Sequence, residues 1–567
     1  MQYDYIIVGG GSAGSVIANR LSARSANRVL LLEAGIDTPH GAIPPDVHSS
    51  YPGTAYFNPD YTWNRLRVRL QPVNKNLPES EKPELRNYEQ ARIMGGGSSI
   101  NGQMANRGAP NDYDDWGRQG AKGWSWEACL PFFRKLERDM DFDGALHGNE
   151  GRIPIRRIYQ QEWTPYAKAV AEAMTELGYP YLTDQNGVFE DGHFPVTVSN
   201  LYDRRVSTAI GYLDPPTRLR ENLEVRSETQ VSEVLFDGLR AVGVRAERRG
   251  QSETFMANEV VLCCGAVHSP AHLLRSGIGP AGHLADMGIE VRHHLPGVGQ
   301  NLMDHPSVAC STWLPDGARM TRKDARHIHV GARYSSGLHD APQGDMFIVQ
   351  VSKSGWHAVG ERLGSLLVFV NKSYSTGEVR LASKDWREEP EVEFNLLSDE
   401  RDLDRLKDAF LRASTINLHP AVARVAGHTF PSSYSEKVRA IGRVTKRNEM
   451  ISKAVGGVLD MAGGMRGMLI DRLITGGLRL RDLLEDDGAL EGFVRATAVG
   501  VWHASCTNRM GGDDDPMAVT DEQGRVRGLA GLRVVDASIM PSVPCANTNI
   551  PTIMMAERIS DTVLSDG

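Results

Sequence analysis

The sequence predicts an α/β chain that opens on a βαβ unit, and three features of its first 33 residues carry that expectation. Residues 3–8 (YDYIIV) form a short, β-rich apolar run that stops at glycine, the pattern of a buried parallel strand. The run 9–14 (GGGSAG) leads into a helical pattern from Val16 to Leu21. Residues 28–33 (RVLLLE) read as a second strand that ends in an acid, Glu33.

Each element has a physical reason. Gly9 makes the tight turn, Gly11 lets backbone N–H groups meet a pyrophosphate, and Gly14 lets helix and strand pack closely. Ser12 and Ala13 open the helix whose N-terminus faces the phosphate charge. Glu33, followed by Ala34, stands where a carboxylate accepts from ribose hydroxyls, and an acid there argues against a 2′-phosphate. The unit predicts dinucleotide binding, with FAD and NAD both open on this segment alone.

Composition bounds the rest. The 567 residues imply two or three domains at about 100–200 residues each. With 41% hydrophobic and 24% charged residues, the chain reads as globular, neither disordered nor fibrous. Its 63 Lys and Arg against 71 Asp and Glu, a net charge of -8, offer no general attraction to nucleic acid. The cysteines at 129, 263, 264, 310, 506 and 545 lack C-x-x-C spacing, so neither a disulfide framework nor a zinc or redox site is expected. The apolar run Tyr5 to Val8 is too short for an export signal, and no apolar stretch of about 18 residues suggests a membrane span; a cytoplasmic location is the expectation.

Four further segments bear a resemblance. Residues 91–102 (ARIMGGGSSING), 265–279 (GAVHSPAHLLRSGIG), 296–305 (PGVGQNLMDH), and a C-terminal group of 501–505 (VWHAS), 535–541 (VDASIMP) and 547–552 (NTNIPT) together resemble the glucose-methanol-choline (GMC) flavoprotein oxidoreductases from end to end. Residues 106–108 (NRG), Trp124 and Trp126, 370–372 (VNK) and 394–399 (FNLLSD) are similar to members that oxidise furanic alcohols. The resemblance implies a Rossmann-like FAD domain interleaved with a substrate domain built on an antiparallel sheet flanked by helices. The motifs place the FAD domain in 1–160, 200–305 and 495–567, and the substrate domain in 161–199 and 306–494. Histidine-tethered members carry the histidine just after Ser98 and Ser99; Ile100 stands there, so non-covalent FAD is expected.

The cofactor contacts implied are Ala34, Arg92, Gly96, Ser98, Asn101, Gly102, Val231 at the adenine, Trp502, Asp536, Ala537, Asn547, Pro551 and Thr552. The dense glycines at 95–97 suit a wall of backbone N–H groups against the flavin ring. Asp536 and Ala537 follow a short strand, where polar groups meet ligands in open α/β sheets. Met104, Phe369 and Trp502 are expected in the substrate pocket, with Phe369 standing where furanic-alcohol oxidases carry Trp.

Oxidising an alcohol removes a hydroxyl proton and a hydride from one carbon, and flavin accepts only the hydride. His503 is the expected base, because imidazole accepts a proton near neutral pH. Asn549 is the expected second catalytic position, orienting the substrate oxygen through its amide. His268 and His272 read as structural on a helix starting near Ser269-Pro270. His293-His294 and His327/His329 lack the acids or cysteines that complete a metal site, so no metal is expected. Cys506 and Cys545 read as inert packing.

A hairpin is expected about Gly238, and the runs Leu366 to Val370, Glu378 to Leu381 and Val392 to Phe394 are expected to floor the substrate pocket. Residues 436–487 read as a helical, locally basic insertion that could meet a membrane surface, meet a partner subunit or cap the entrance. The activity implied is oxidation of aromatic or furanic primary alcohols to aldehydes, with O2 reoxidising the flavin to give H2O2. The alternatives are a membrane-associated, quinone-linked dehydrogenase of aliphatic alcohols and a flavin-containing lyase.

Overall fold

A computed structural model describes residues 2–566. Five parallel strands form the first sheet, in the order Leu223–Arg226, Val29–Leu32, Gln2–Val8, Gln251–Leu262 and Leu532–Val534. The antiparallel hairpin Gln230–Asp237 and Arg240–Arg248 continues from the first half of Gln251–Leu262, and its turn residue Gly238 has φ +55°. The runs VLLL and YIIV are apolar throughout because helices Ser12–Leu21, Asn549–Asp566 and Trp126–Leu136 pack together beside the parallel strands. The central strand ends at Gly9, where φ is +98° and a Cβ would lie 2.6 Å from the Cys263 carbonyl oxygen. A Cβ on Gly14 would lie 1.9 Å from the Gly9 carbonyl oxygen, so the helix packs on the strand through hydrogen alone.

The second sheet is antiparallel, in the order Thr429–Ser432, Pro306–Trp313, Leu363–Val370, Met346–Val351, Ile328–Tyr334 and Gly192–Pro195. Glu400–Leu418 and Pro165–Glu176 pack on it and close a separate hydrophobic core. Val499–Gly500 pairs with Pro306 and Ser307, which extends this sheet into the segment from 495 that the motifs placed in the nucleotide half. Of the three runs expected to floor the pocket, only Leu363–Val370 belongs to this sheet. Gly377–Arg380 and Glu391–Glu393 join a smaller sheet with Gln300–Leu302, Arg67–Arg69 and Arg86–Asn87, since alternation records which face is buried and not which partner strand covers it.

The helix expected near Ser269-Pro270 starts earlier, at Gly265, and runs to Arg275 with Pro270 inside it. Pro270 leaves the Ala266 carbonyl without a helical donor. The Thr507 hydroxyl donates to that carbonyl at 2.7 Å. Residues 436–487 are helical but broken. Lys446–Met461 continues through Gly456 and Gly457, while Gly463 (φ +51°), Gly476 (φ +71°) and Gly477 (φ +99°) interrupt the path. Among the described residues, no helix is long and apolar enough to cross a membrane.

Candidate active site

The two sheets meet along a cavity of about 830 Å³, within the range typical of ligand sites. Its lining includes Val231 and Glu247 from the first sheet, Gly9, Gly11, Ser12, Ala13, Glu33, Ala34 and Arg92 from the glycine loop and its surroundings, and Met104, Phe369, Trp502, His503 and Asn547. Gly96, Asn101, Gly102, Asp536, Ala537, Asn549 and Thr552 also face it. Gly14, Ser98 and Pro551 do not. Gly14 is the close packing point described above. Ser98 spends its hydroxyl on the Gly95 carbonyl at 2.5 Å and on Thr208 at 2.9 Å, and Pro551 lies in the first turn of the C-terminal helix.

The nucleotide half is built from backbone. Glu33 is buried, and its two oxygens accept from Gly10 N and Gly35 N, each at 2.8 Å; burial pushes its carboxyl above the usual range. Gly96 (φ +53°) presses on Gly11, and a Cβ there would lie 2.7 Å from the Gly11 Cα. A Cβ on Gly11 meets nothing nearer than 3.8 Å, so the groove beside it has room for a ligand. Arg92 Nε is buried without a protein partner at this wall, and its guanidinium stacks on Trp63 at 4.8 Å. These features fit the pyrophosphate and ring of a dinucleotide. Asp536 is differently used, since its carboxylate accepts from Gly265 N at 2.8 Å, Ser269 Oγ at 2.5 Å and Ser538 N at 2.8 Å. It ties the run 265–279 to the C-terminal segment.

The chemical end centres on His503. Its Nδ1 lies 2.8 Å from His305 Nδ1, and His305 Nε2 lies 3.1 Å from the Pro544 carbonyl oxygen. A carbonyl oxygen only accepts, so His305 carries its proton on Nε2 and offers a lone pair at Nδ1. His503 must therefore donate from Nδ1, which leaves Nε2 as the ring's acceptor. Burial, and secondarily His305, holds His503 well below the usual histidine range, and burial draws His305 down to about 3. Both rings are neutral at pH 7.

Asn547 and not Asn549 completes this group. Asn547 Nδ2 donates to His503 Nε2 at 3.0 Å, and its Oδ1 is buried with no protein partner. Asn549 begins the final helix, and its Oδ1 accepts from the Ser12 hydroxyl at 2.7 Å. Of the two amides it is Asn547 that stands beside His503, because the turn before the helix reaches that ring while the first helical residue faces the glycine loop.

The loop carrying His503 is strained and held. Trp502 has φ +61°, unusual for a large side chain. Asp304 Oδ1 accepts from Val501 N at 3.2 Å and His503 N at 3.1 Å, gripping the backbone on both sides of Trp502, and from His305 N at 2.7 Å. Desolvation outweighs these bonds and pushes Asp304 up to about 7. A Cβ on Gly500 would lie 2.3 Å from Asp304 Oδ2, so glycine is needed for the carboxylate to reach the loop. The sequence reading had no role for Asp304 or His305, although both end the family-like run 296–305.

The wall opposite is apolar. Met104 and Phe369 pack with Phe194, Val198, Ile328, Phe347 and Val349; Phe369 stacks on Phe347 at 5.2 Å and tilts toward His305 at 5.8 Å. His268 pairs with Glu389 at 3.1 Å and lies tilted against Trp63 with ring centroids 4.5 Å apart, while burial draws His272 down to about 3. Two acid–histidine clusters occur among the described residues, Asp304/His305/His503 and Glu137/Asp139/His147, and neither includes His293, His294, His327 or His329. In the first the two facing ring nitrogens bond each other, and in the second Arg107 and Arg157 pair with the acids. Cys506 and Cys545 are buried, Cys506 pushed up to about 12 and Cys545 well above its usual range by burial, which suits packing and not nucleophilic roles.

Residues 3–307 and 373–556 match two family profiles described as GMC oxidoreductase. The chain is 42% identical over 569 residues to the 5-(hydroxymethyl)furfural oxidase of Methylovorus sp. (strain MP688), spanning 99% of both proteins. It is 34% identical to an oxygen-dependent choline dehydrogenase of Stenotrophomonas maltophilia (strain K279a), over 99% of this chain and 95% of that protein. Among solved structures, pyridoxine 4-oxidase from Mesorbium loti superposes with a TM-score of 0.80 at 25% identity over 99% of each chain. A fungal aryl-alcohol oxidase shares the fold with a TM-score of 0.72 at 22% identity, over 100% of this chain and 99% of that one.

Proposed function

The chain belongs to the GMC oxidoreductase family, and on that premise we propose that it oxidises primary alcohols borne on an aromatic or furan ring to aldehydes, with O2 as the final acceptor. It is an FAD-dependent oxidoreductase of CH–OH donors. The observation that carries the proposal is His503 Nε2, a neutral lone pair beside the Asn547 amide at the end of the nucleotide cavity. Bound FAD supplies the hydride acceptor and, on reaction with O2, the route to H2O2.

The residues that would hold it are Gly9, Gly11, Ser12, Ala13, Glu33, Ala34, Arg92, Gly96 and Val231 around the nucleotide, with Asn101, Gly102, Ala537 and Thr552 further along the cavity. Ile100 leaves no histidine at the tethering position, which supports a dissociable cofactor. His503 Nε2 takes the hydroxyl proton, and Nδ1–H shares the positive charge that results with His305. Asn547 Nδ2, which donates to His503 Nε2, would turn to the alcohol oxygen and so release the imidazole lone pair to the O–H. Met104 and Phe369 cover the substrate ring and exclude water from the reacting carbon.

O2 is favoured over a quinone because the two relatives compared above are named as an oxidase and as oxygen-dependent. Nothing in the site or the relatives favours a lyase. The test is anaerobic reduction of the yellow protein by benzyl alcohol and by 5-hydroxymethylfurfural, followed by admission of air. Bleaching, then rapid recolouring with peroxide, is expected. Failure of any ring-borne primary alcohol to bleach the flavin overturns the proposal. His503→Ala should slow bleaching by about 10²–10⁴-fold while the protein stays yellow.

A further inference from the structure

Glu89 is a buried carboxylate on the wall of the cavity that holds His503. Four donors converge on it. Tyr56 Oη at 2.8 Å and Trp502 Nε1 at 3.2 Å reach Oε2, while Tyr434 Oη at 3.2 Å and Arg439 Nε reach Oε1. The rings of Tyr56 and Tyr434 each stand nearly perpendicular to the Trp502 indole, with centroids 5.3 Å from it. Tyr56, Tyr434 and Trp502 all line the cavity.

An acid set among aromatic rings is the composition that draws in an ammonium group. Here the cation comes from the protein. Arg439 lies in the helix Glu436–Gly442, the first of the insertion, and reaches Glu89 from outside the cavity; no residue of 436–487 lines it. Its guanidinium is also largely buried, so solvent does little to replace it. Of the histidines that share this lining, His503 and His327 are held neutral by burial, and Tyr56 and Tyr434 keep their protons, raised well above the usual tyrosine range by burial. Whether Glu89 is balanced therefore sets the charge on the Trp502 side of an alcohol beside His503, Asp304 being the buried acid on the backbone side.

We propose that Arg439 is a specificity-determining residue: by pairing with Glu89 among Tyr56, Tyr434 and Trp502, it keeps the alcohol end of the cavity neutral and turns away alcohols bearing an ammonium group. The proposal rests on the reading of this cavity as an alcohol-oxidising site. It gives the insertion a function that neither a solvated surface nor a lid requires. Arg439 acts through Glu89 and touches neither substrate nor cofactor.

The test compares anaerobic flavin reduction by benzyl alcohol and by 4-(trimethylammonio)benzyl alcohol, as a ratio of kcat/KM, in FAD-loaded wild type, Arg439→Gln, Arg439→Lys and the double variant Glu89→Gln/Arg439→Gln. Leaving Glu89 unbalanced should raise the cationic-to-neutral ratio on the order of tenfold to a hundredfold. Arg439→Lys keeps the charge and should hold the wild-type ratio, and the double variant should return to it. Should Arg439→Gln fail to fold, Glu89→Gln alone decides, since it leaves the guanidinium unbalanced and should favour 4-(hydroxymethyl)benzoate over benzyl alcohol by a similar factor. Ratios that do not move in a folded, yellow variant overturn the proposal. Failure of wild type with benzyl alcohol instead overturns the alcohol-oxidase reading, so the two outcomes are distinct.

Discussion

Replacing His305 by alanine removes the acceptor of the His503 Nδ1–H bond at 2.8 Å and the donor to the Pro544 carbonyl at 3.1 Å. His503 is buried, so its Nδ1–H would lose a partner with no water to replace it, which costs about 1–3 kcal/mol. The cheapest escape is the other tautomer, with the proton on Nε2, and that form has no lone pair for the alcohol. If the productive tautomer then lies 1–3 kcal/mol above the unproductive one, the limiting rate of flavin reduction falls roughly 5- to 150-fold. Substrate affinity should move little, because His305 stands behind the base. The assay is anaerobic stopped-flow reduction over a range of benzyl alcohol concentrations, separating the limiting rate from the apparent Kd. His305→Asn places an amide oxygen near the lost Nδ1 and should recover most of the rate. A His305→Ala protein that stays yellow and reduces at the wild-type rate would refute the tautomer argument; if that variant loses its flavin, a His305→Asn rate equal to that of His503→Ala would refute it instead.

Three other substitutions separate roles that lie close together. Asn547→Ala should lower the limiting rate of flavin reduction by tenfold or more, whereas Asn549→Ala, which frees the Ser12 hydroxyl at the glycine loop, should mainly weaken FAD retention, read by flavin release on dilution. Gly11→Val should give colourless or unfolded protein, because the isopropyl group enters the groove that an isolated Cβ leaves open; yellow protein of normal stability would count against that groove as the pyrophosphate site. Asp304 is raised from 3.8 to about 7, so the native state binds the extra proton between those values and loses stability as pH rises through them. Asp304→Asn lacks that titration, and its stability relative to wild type should improve by about 2 kcal/mol between pH 5 and pH 7, measured from guanidinium midpoints, while a constant difference would mean that the three N–H bonds outweigh burial.

The opening βαβ unit was legible because much of its information is local: Gly14 packs on the Gly9 carbonyl and Glu33 accepts from Gly10, contacts that span fewer than about 25 residues. Telling which amide stands beside His503 was harder. Asn547 and Asn549 are chemically the same and two residues apart, and only the helix start at Asn549 decides that one turns to Ser12 and the other to His503. Asp304 and His305 escaped notice because their partners lie nearly 200 residues further along the chain, and a carboxylate that holds backbone N–H groups leaves no periodic trace. Pro270 misled for a related reason. A proline inside a helix is tolerated when something else serves the orphaned carbonyl, and here Thr507 comes from a distant segment. Likewise the strands Gly377–Arg380 and Glu391–Glu393 showed their character in sequence but not the sheet they join.

These distant contacts converge on one loop. A left-handed backbone at Trp502 costs on the order of 1–3 kcal/mol and persists only where its surroundings over-determine it. Asp304 holds the peptide on both sides, and Glu89 holds the indole from the far side. The imidazole of His503 therefore takes its direction from the backbone grip and its tautomer from His305, two independent constraints carried by adjacent residues of one segment. Because Glu89 also binds Arg439, the insertion is mechanically joined to the residue preceding the base. Loss of that ion pair would free one end of the Trp502 clamp as well as unbalance a charge, whereas Arg439→Lys restores the charge but not the same Nε contact. Comparing the limiting rate with neutral alcohol in Arg439→Lys and Arg439→Gln thus separates the two effects: a shared decrease belongs to the clamp, and a change confined to the ammonium-to-neutral ratio belongs to the charge.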